Sequence, residues 1–118
     1  MKYILLVLSV MLFGCAQTPP PTSMNTTDWQ SFGEEMALKG KTKQTEASLA
    51  EAASSPSIDA DLYAAYDQGY EVGKTHYCSQ NPRALGRRGE TYLGICDDVD
   101  KWFRFNYERG AESKYSVQ

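Results

Sequence analysis

The first fifteen residues constrain this chain most, because they decide how much of it remains to fold and in which compartment. Lys2 is followed by an apolar run without charge, from Tyr3 to Phe13. Such a run is too short for a permanent membrane-spanning helix, but it has the charge and length pattern of a secretory signal peptide. We therefore predict a signal peptide over residues 1–14 and export of the remainder.

The end of that run resembles the lipobox of bacterial lipoproteins. The resemblance lies in Leu12-Phe13-Gly14-Cys15, where a small residue stands directly before a cysteine. It implies cleavage after Gly14 and attachment of a diacylglycerol and a palmitate to Cys15. An ordinary secretory signal that contains a cysteine is the alternative. If Cys15 is acylated, Ala16 rather than an aspartate after it favours the outer membrane, with the protein lipid-anchored and facing the periplasm.

The charge balance narrows the class of partner. The chain has 12 basic and 15 acidic residues, and loss of Lys2 with the signal peptide leaves a net charge of −4. This balance argues against nucleic acid as a partner, because phosphate binding needs a basic face. It also gives no general attraction to anionic lipid, so membrane attachment is expected to depend on the acyl chains.

The cysteine count predicts one disulfide. With Cys15 taken by lipid, Cys78 and Cys96 remain as an even pair in an oxidising compartment. A bond between them would close about 18 residues and stabilise the fold by about 3 kcal/mol. A metal or redox pair is the alternative, but the spacing is not CxxC, and His76, the only histidine, leaves a site one ligand short. We expect no metal and no cofactor.

Composition divides the exported chain into three parts. Residues 15–27 contain three consecutive prolines, which cannot join a helix or a central strand, and are predicted to form the acylated N-terminus and a stiff Pro-rich tether. Residues 28–110 are predicted to form a single disulfide-stapled helical domain. Residues 111–118 are predicted to be a polar tail.

Within the domain, apolar spacing and capping residues predict a mainly α fold of about four helices with an ordered, disulfide-closed loop. The first helix begins at Asp28 as N-cap and stops at Gly40, and the last ends at Gly110. The last helix is expected to bury Val99, Trp102, Phe103 and Tyr107. The other predicted elements are helices over 45–53, 61–77 and 98–109, a loop over 79–96, and a short strand over 91–95.

Small residues recur four apart in the first and third predicted helices. Gly69 and Gly73 share one helix face, and Gly33 and Ala37 repeat the spacing. A glycine inside a helix costs about 1 kcal/mol against alanine, so a close contact must compensate. We interpret the two helices as a weak internal duplication that packs together. A self-association surface is the alternative use of these glycines.

Three arginines and a tyrosine in the predicted loop form the candidate binding site. Arg83, Arg87 and Arg88 are opposed only by Glu90, and guanidinium groups suit carboxylate and phosphate. Pairing with the acidic residues around position 98, or plain solvation, is the alternative. Tyr92 joins this site because tyrosine is common in interfaces and sugar-binding clefts, although a half-buried core has the same composition.

The chain lacks the motifs of nucleophilic or metal catalysis, so we expect no enzyme. The favoured function is a structural or protein-interaction module at the periplasmic face of the outer membrane. The alternative is a peptidoglycan or lipopolysaccharide binder that uses tyrosines and the three arginines. Expected partners are therefore the membrane through the acyl chains and an envelope protein or glycan, with self-association as a further option.

A resemblance to a known family rests on motifs spread over residues 28–96. These motifs are Asp28-Trp29, Phe32-Gly33, Ala65-Tyr66-Asp67-Gln68-Gly69, Gly73, Tyr77-Cys78, Asn81, Gly86, Gly89, Tyr92, Gly94 and Cys96. They resemble a family of small proteobacterial lipoproteins catalogued as domain of unknown function 2799. One departure lies in the first helix, where Gly33-Glu34-Glu35-Met36-Ala37 replaces the family's Gly-Tyr-x-x-Gly. The resemblance implies an envelope lipoprotein with a disulfide, and it lends no catalytic residues.

Overall fold

A computed structural model describes residues 18–53 and 58–116. Over these ranges the chain is mainly helical and contains no strand, which confirms the predicted fold class. The predicted signal peptide and Cys15 lie outside the described residues. The helices are α1 (Thr26–Leu38), α2 (Glu46–Ala52), α3 (Ala60–Cys78), α4 (Pro82–Arg87) and α5 (Phe103–Ser113).

The first three helices follow the sequence-based expectation closely. The N-cap of α1 lies three residues earlier than predicted, because the side chain of Asn25, rather than that of Asp28, accepts the Thr27 amide at 2.9 Å. Gly40 adopts φ 73° directly after the C-cap residue Lys39, which is the left-handed conformation that stops a helix. α2 and α3 are capped by Thr45 and Asp59 in the same way.

The two long helices, α1 and α3, pack directly on each other as predicted. A Cβ on Gly33 would overlap the Tyr66 carbonyl oxygen, and a Cβ on Gly69 would overlap that of Gln30. A Cβ on Gly73 would likewise overlap the Glu34 carbonyl oxygen. These three glycines are buried between the helices and do not form an exposed self-association surface.

The region after α3 differs from its prediction. α4 (Pro82–Arg87) lies within the predicted loop, capped by Asn81, whose side-chain oxygen accepts the amides of Arg83 and Ala84. Proline at the first turn of a helix needs no amide partner, so Pro82 starts this helix rather than breaking it. The predicted strand over 91–95 is wrong, since residues 91–93 have no regular secondary structure and a bend and a turn follow at 94 and 95.

α5 begins later and ends later than predicted. A turn occupies residues 95–99, and the helix runs over Phe103–Ser113 with Gly110 in its interior. Of the four side chains expected to be buried, Phe103 is fully buried and Tyr107 is partly buried, whereas Val99 and Trp102 are exposed. Gly110 does not take the left-handed conformation that ends a helix, so α5 continues through it, and its bare backbone packs against Arg83 of α4.

The core consists of two clusters joined by α3. The first holds Leu49 of α2 and Ile58, with the aromatic side chains of α1 and α3, including Trp29, Phe32, Tyr66 and Tyr70. The second surrounds the Cys78–Cys96 disulfide, whose Cα atoms lie 5.6 Å apart. The second cluster comprises Tyr77, Leu85, Tyr92, Ile95, Cys96 and Phe103.

The described part of the predicted tether folds back along α1 instead of standing free. The Trp29 indole N–H donates to the Ser23 carbonyl at 2.9 Å, and Lys39 Nζ donates to Thr18 Oγ1 at 3.0 Å. The ten residue steps from Trp29 to Lys39 rise about 15 Å along the helix, and the five steps from Thr18 to Ser23 cover about the same length in a polyproline conformation. Residues 18–25, which we call the strap, therefore extend antiparallel to α1 and place Thr18 at its C-terminal end.

Candidate functional site

Tyr92 lies inside the second core cluster rather than on a binding surface. Its ring centroid is 4.9 Å from that of Phe103, and its hydroxyl accepts the Cys96 amide at 2.9 Å. The same hydroxyl donates to Asp97 Oδ1 at 2.8 Å. Because both hydrogen-bonding functions of this hydroxyl are used internally, Tyr92 holds the turn after the disulfide and has no free polar atom for a ligand. This corrects its assignment to the candidate binding site.

Asp97 joins this turn to α5. Arg104 contacts Asp97 Oδ2 through Nη2 at 2.7 Å and Nε at 3.2 Å, and its guanidinium lies over the Tyr92 ring. Desolvation by itself would raise the pKa of Asp97, but the hydrogen bonds from Arg104 and Tyr92 outweigh it and hold that pKa below its usual value. Gly94, at φ 88°, leaves room for the Arg104 side chain.

Tyrosine hydroxyls of α3 also hold the segment between α1 and α2. Tyr66 accepts the Gln44 amide at 3.0 Å, and Tyr70 donates to the Lys41 carbonyl at 2.6 Å. Burial raises the pKa of Tyr70 to about 12. Lys43, which lies in this segment, forms ion pairs with Asp67 and Glu71 of α3. These tyrosines therefore belong to the core, as one of the two sequence interpretations predicted.

The three predicted arginines lie on or beside α4, but they do not act as one group. Arg88 pairs with Glu90 at 3.0 Å, and Arg83 Nε donates to Asn106 of α5 at 3.2 Å. Among the residues that the structure describes, Arg87 has no ion-pair partner. Arg83 and Arg87 are four apart and share one face of α4. Of the nearby acidic residues, Asp98 pairs with Lys74 and Asp97 pairs with Arg104.

The sequence analysis missed an exposed aromatic pair at the start of α5. Trp102 is 58% exposed and Phe105 is 49% exposed, and their rings meet edge to face at 6.0 Å. Lys101 lies over the indole and Arg109 over the phenyl ring. We call these four residues the aromatic patch. Its signal in the sequence is Trp102 and Phe105 three residues apart, on the side of α5 away from Phe103.

A second surface feature is an open groove of about 510 Å³ between the end of α1 and the second core cluster. Its floor includes Tyr77 and Leu85, and the half-exposed side chains of Leu38 and Leu93 lie at its edges. The turn at Gly40 packs on the ring of Tyr77. Lys39, Lys41, Gln80, Glu90 and Thr91 supply the rest of its lining.

The structure brings together no metal-binding group in the ranges it describes. Over residues 18–53 and 58–116, no three His, Cys, Asp or Glu side chains are arranged to hold an ion. His76 is exposed near the end of α3. No helix within the same ranges is both long enough and apolar enough to cross a membrane.

Comparison with known proteins gives one match. No curated protein and no solved structure matches the chain. A family model, described as protein of unknown function (DUF2799), matches residues 28–112, from the first turns of α1 almost to the end of α5. The match therefore spans both core clusters and the disulfide, and this chain belongs to that family.

Proposed function

We propose that this protein is a lipid-anchored lipoprotein of the outer membrane, facing the periplasm. The supports are the signal-peptide pattern over residues 1–14 and the lipobox-like sequence ending at Cys15. The Cys78–Cys96 disulfide is consistent with this compartment, because disulfides persist where the environment is oxidising. Replacement of Cys15 by serine is expected to remove both acyl mass and membrane fractionation.

We further propose that the exported domain is not an enzyme but a protein-interaction module, and that the aromatic patch is its contact surface. The observation that carries this proposal is the exposure of Trp102 and Phe105. Aromatic side chains that a small core leaves exposed together are typical of binding surfaces, where they are the residues most often critical for affinity.

The charges around the patch indicate the chemistry of the partner. Lys101 and Arg109 each cover an aromatic ring, and Arg83 approaches the same side of α5 through Asn106. A partner protein that offers an apolar pocket rimmed by carboxylates would match both features. Glu108 and Glu112 follow Phe105 by three and seven residues and therefore lie on its side of the helix, so the positive charge is greatest on the side of Trp102.

The test is photocrosslinking in intact cells. A photoreactive phenylalanine analogue replaces Phe105 and, in the matched control, Tyr115, which is 79% exposed. We expect one dominant protein adduct from position 105 and none from position 115, with the partner named by mass spectrometry. The same adduct from both positions, or none from position 105, would contradict the proposal.

Alanine variants separate binding from folding. Because both aromatic side chains are exposed, Trp102→Ala with Phe105→Ala should leave the thermal midpoint nearly unchanged and abolish co-purification of the crosslinked partner. The control is Val72→Ala, an exposed apolar side chain on α3. Loss of co-purification in the control as well would indicate nonspecific capture.

The second candidate function is glycan or lipopolysaccharide binding through Arg83, Arg87 and Arg88. The observation that favours it is the free guanidinium of Arg87 on the same face of α4 as Arg83, within the described ranges. Binding of the purified domain to sacculi or lipopolysaccharide, lost in the triple alanine variant and kept in Lys101→Ala, would support it. A hydrolytic product from purified sacculi would instead indicate an enzyme.

A further inference from the structure

The strap fixes where the chain leaves the folded domain on its way to the proposed anchor. Lys39 Nζ contacts Thr18 Oγ1, so Thr18 lies at the C-terminal end of α1. Only three residue steps separate Thr18 from Cys15, and these span at most about 11 Å. An acylated Cys15 would therefore hold the C-terminal end of α1, rather than its N-terminal end, close to the bilayer.

The surface at that end has the side chains that suit a lipid interface. Leu38 and Leu93 are both half exposed and lie on the edges of the groove beside the strap's end. Lys39 and Lys41 stand next to them in the same lining. Lysine keeps its charged group among headgroups while its methylene chain and neighbouring leucines enter the interface. We call these four residues the anchor face.

Charge distribution supports the same orientation. Lys39 pairs with Glu35, and Glu90 pairs with Arg88, so these charges balance. Lys41 has no ion-pair partner within the described ranges, and its carbonyl rather than its side chain is bound by Tyr70. The groove edge is thus locally positive although the whole chain is acidic, which favours a surface containing anionic phospholipid.

From these observations we infer that the anchor face lies against the phospholipid headgroups, with Leu38 and Leu93 in the interface. This orientation rests on the proposed acylation of Cys15. The short, strapped connection then holds the domain in contact with the membrane, in contrast to a free tether that would lift it away.

The test measures the depth of two labelled positions in reconstituted protein. The full-length acylated protein is placed in vesicles of phosphatidylethanolamine with a minor fraction of phosphatidylglycerol. A fluorophore is attached to Leu93→Cys or, as the matched control, Met24→Cys, at the other end of the strap, where the side chain is 77% exposed. The native cysteines are joined to each other or to lipid, so each label has one target thiol.

Spin-labelled lipid should quench the label at position 93 about threefold more than the label at position 24, because only the former enters the interface. Lys41→Glu should reduce that quenching at low salt, whereas Lys101→Glu should not. If the protein stays on the vesicles but both labels are quenched equally, the proposed orientation is wrong, whereas the proposed anchor is not contradicted. Protein that does not remain with the vesicles would overturn the anchor and the orientation with it.

Discussion

Gly86 and Gly110 pack reciprocally, each against the main-chain carbonyl three residues before the other. A Cβ on Gly86 would overlap the Tyr107 oxygen, and one on Gly110 would overlap the Arg83 oxygen. α4 and α5 therefore approach as closely as their backbones allow. A six-residue helix has little surface of its own to bury, so this contact and the buried side chain of Leu85 together attach α4 to the domain.

The same reciprocal spacing occurs between α1 and α3. Gly33 packs on the carbonyl of Tyr66, three residues before Gly69, and Gly69 packs on that of Gln30, three residues before Gly33. The internal duplication predicted for the first and third helices is thus a shared way of packing, and it occurs twice, between α1 and α3 and between α4 and α5. Each of the two core clusters contains one such helix pair.

The first prediction concerns whether replacing Gly110 by alanine raises or lowers the stability of the protein. By helix propensity, Gly110→Ala should stabilise the protein by about 1 kcal/mol. We expect destabilisation by about 1–3 kcal/mol instead, because the new methyl group must push α4 away. Urea unfolding measures the change. Ala64→Gly, at an exposed site on α3, is the propensity control and should cost about 1 kcal/mol. A more stable Gly110→Ala protein would contradict the reciprocal contact.

The second prediction separates Phe103 from its neighbour Trp102. Phe103→Ala should destabilise the domain by about 3–5 kcal/mol, because its fully buried ring contacts both Tyr77 and Tyr92. Trp102→Ala should change the free energy of unfolding by less than about 1 kcal/mol, because the indole is exposed. Chemical unfolding of the two variants checks this, and similar losses would mean that α5 begins earlier and buries Trp102.

The third prediction concerns the hydroxyl of Tyr92. Tyr92→Phe removes the acceptor of the Cys96 amide and the donor to Asp97, and should cost about 1–3 kcal/mol because the amide is left unpaired in a buried turn. Tyr115→Phe, at an exposed site, should cost nothing measurable. Hydrogen exchange should show faster opening at Cys96 and little change in α1. Equal protection of the Cys96 amide in both variants would contradict this role.

The fourth prediction is an alkaline loss of stability through Tyr70. Burial raises the pKa of Tyr70 from its ordinary 10 to about 12, so the folded state retains the phenol proton more strongly than the unfolded state does. This contribution is complete below pH 10 and is lost as the pH rises to about 12. Urea unfolding across that range should show falling stability.

Tyr70→Phe removes this titration and should therefore weaken the alkaline dependence. The variant should also lose about 1 kcal/mol at neutral pH, because the hydrogen bond to the Lys41 carbonyl is absent. Tyr115→Phe is the control and should keep the wild-type dependence of stability on alkaline pH. An unchanged slope in Tyr70→Phe would assign the alkaline loss to other groups.

The candidate surfaces show where sequence-based prediction reached its limit. The sequence predicts Arg83, Arg87 and Arg88 as one cluster because they are close along the chain. In the structure, Arg83 donates to Asn106 and Arg88 pairs with Glu90, so the three do not act together. Tyr92 is a candidate binding residue by sequence, with core packing as the alternative, because tyrosine composition alone does not separate core from interface. Its burial depends on Phe103, eleven residues later along the chain.

The amino-acid sequence by itself determined α1, α2 and α3, the stop at Gly40 and the pairing of Cys78 with Cys96. Helix caps and apolar spacing act within a few residues. With Cys15 assigned to the lipid, Cys78 and Cys96 are the two cysteines left to pair. Only the tertiary structure decided the start of α5, the exposure of Trp102 and the use of Gly86 and Gly110. The two glycine contacts join residues more than twenty apart, and Phe103 is buried between Tyr77 and Tyr92, which lie 26 and 11 residues before it. Patterns over a few residues do not contain that information.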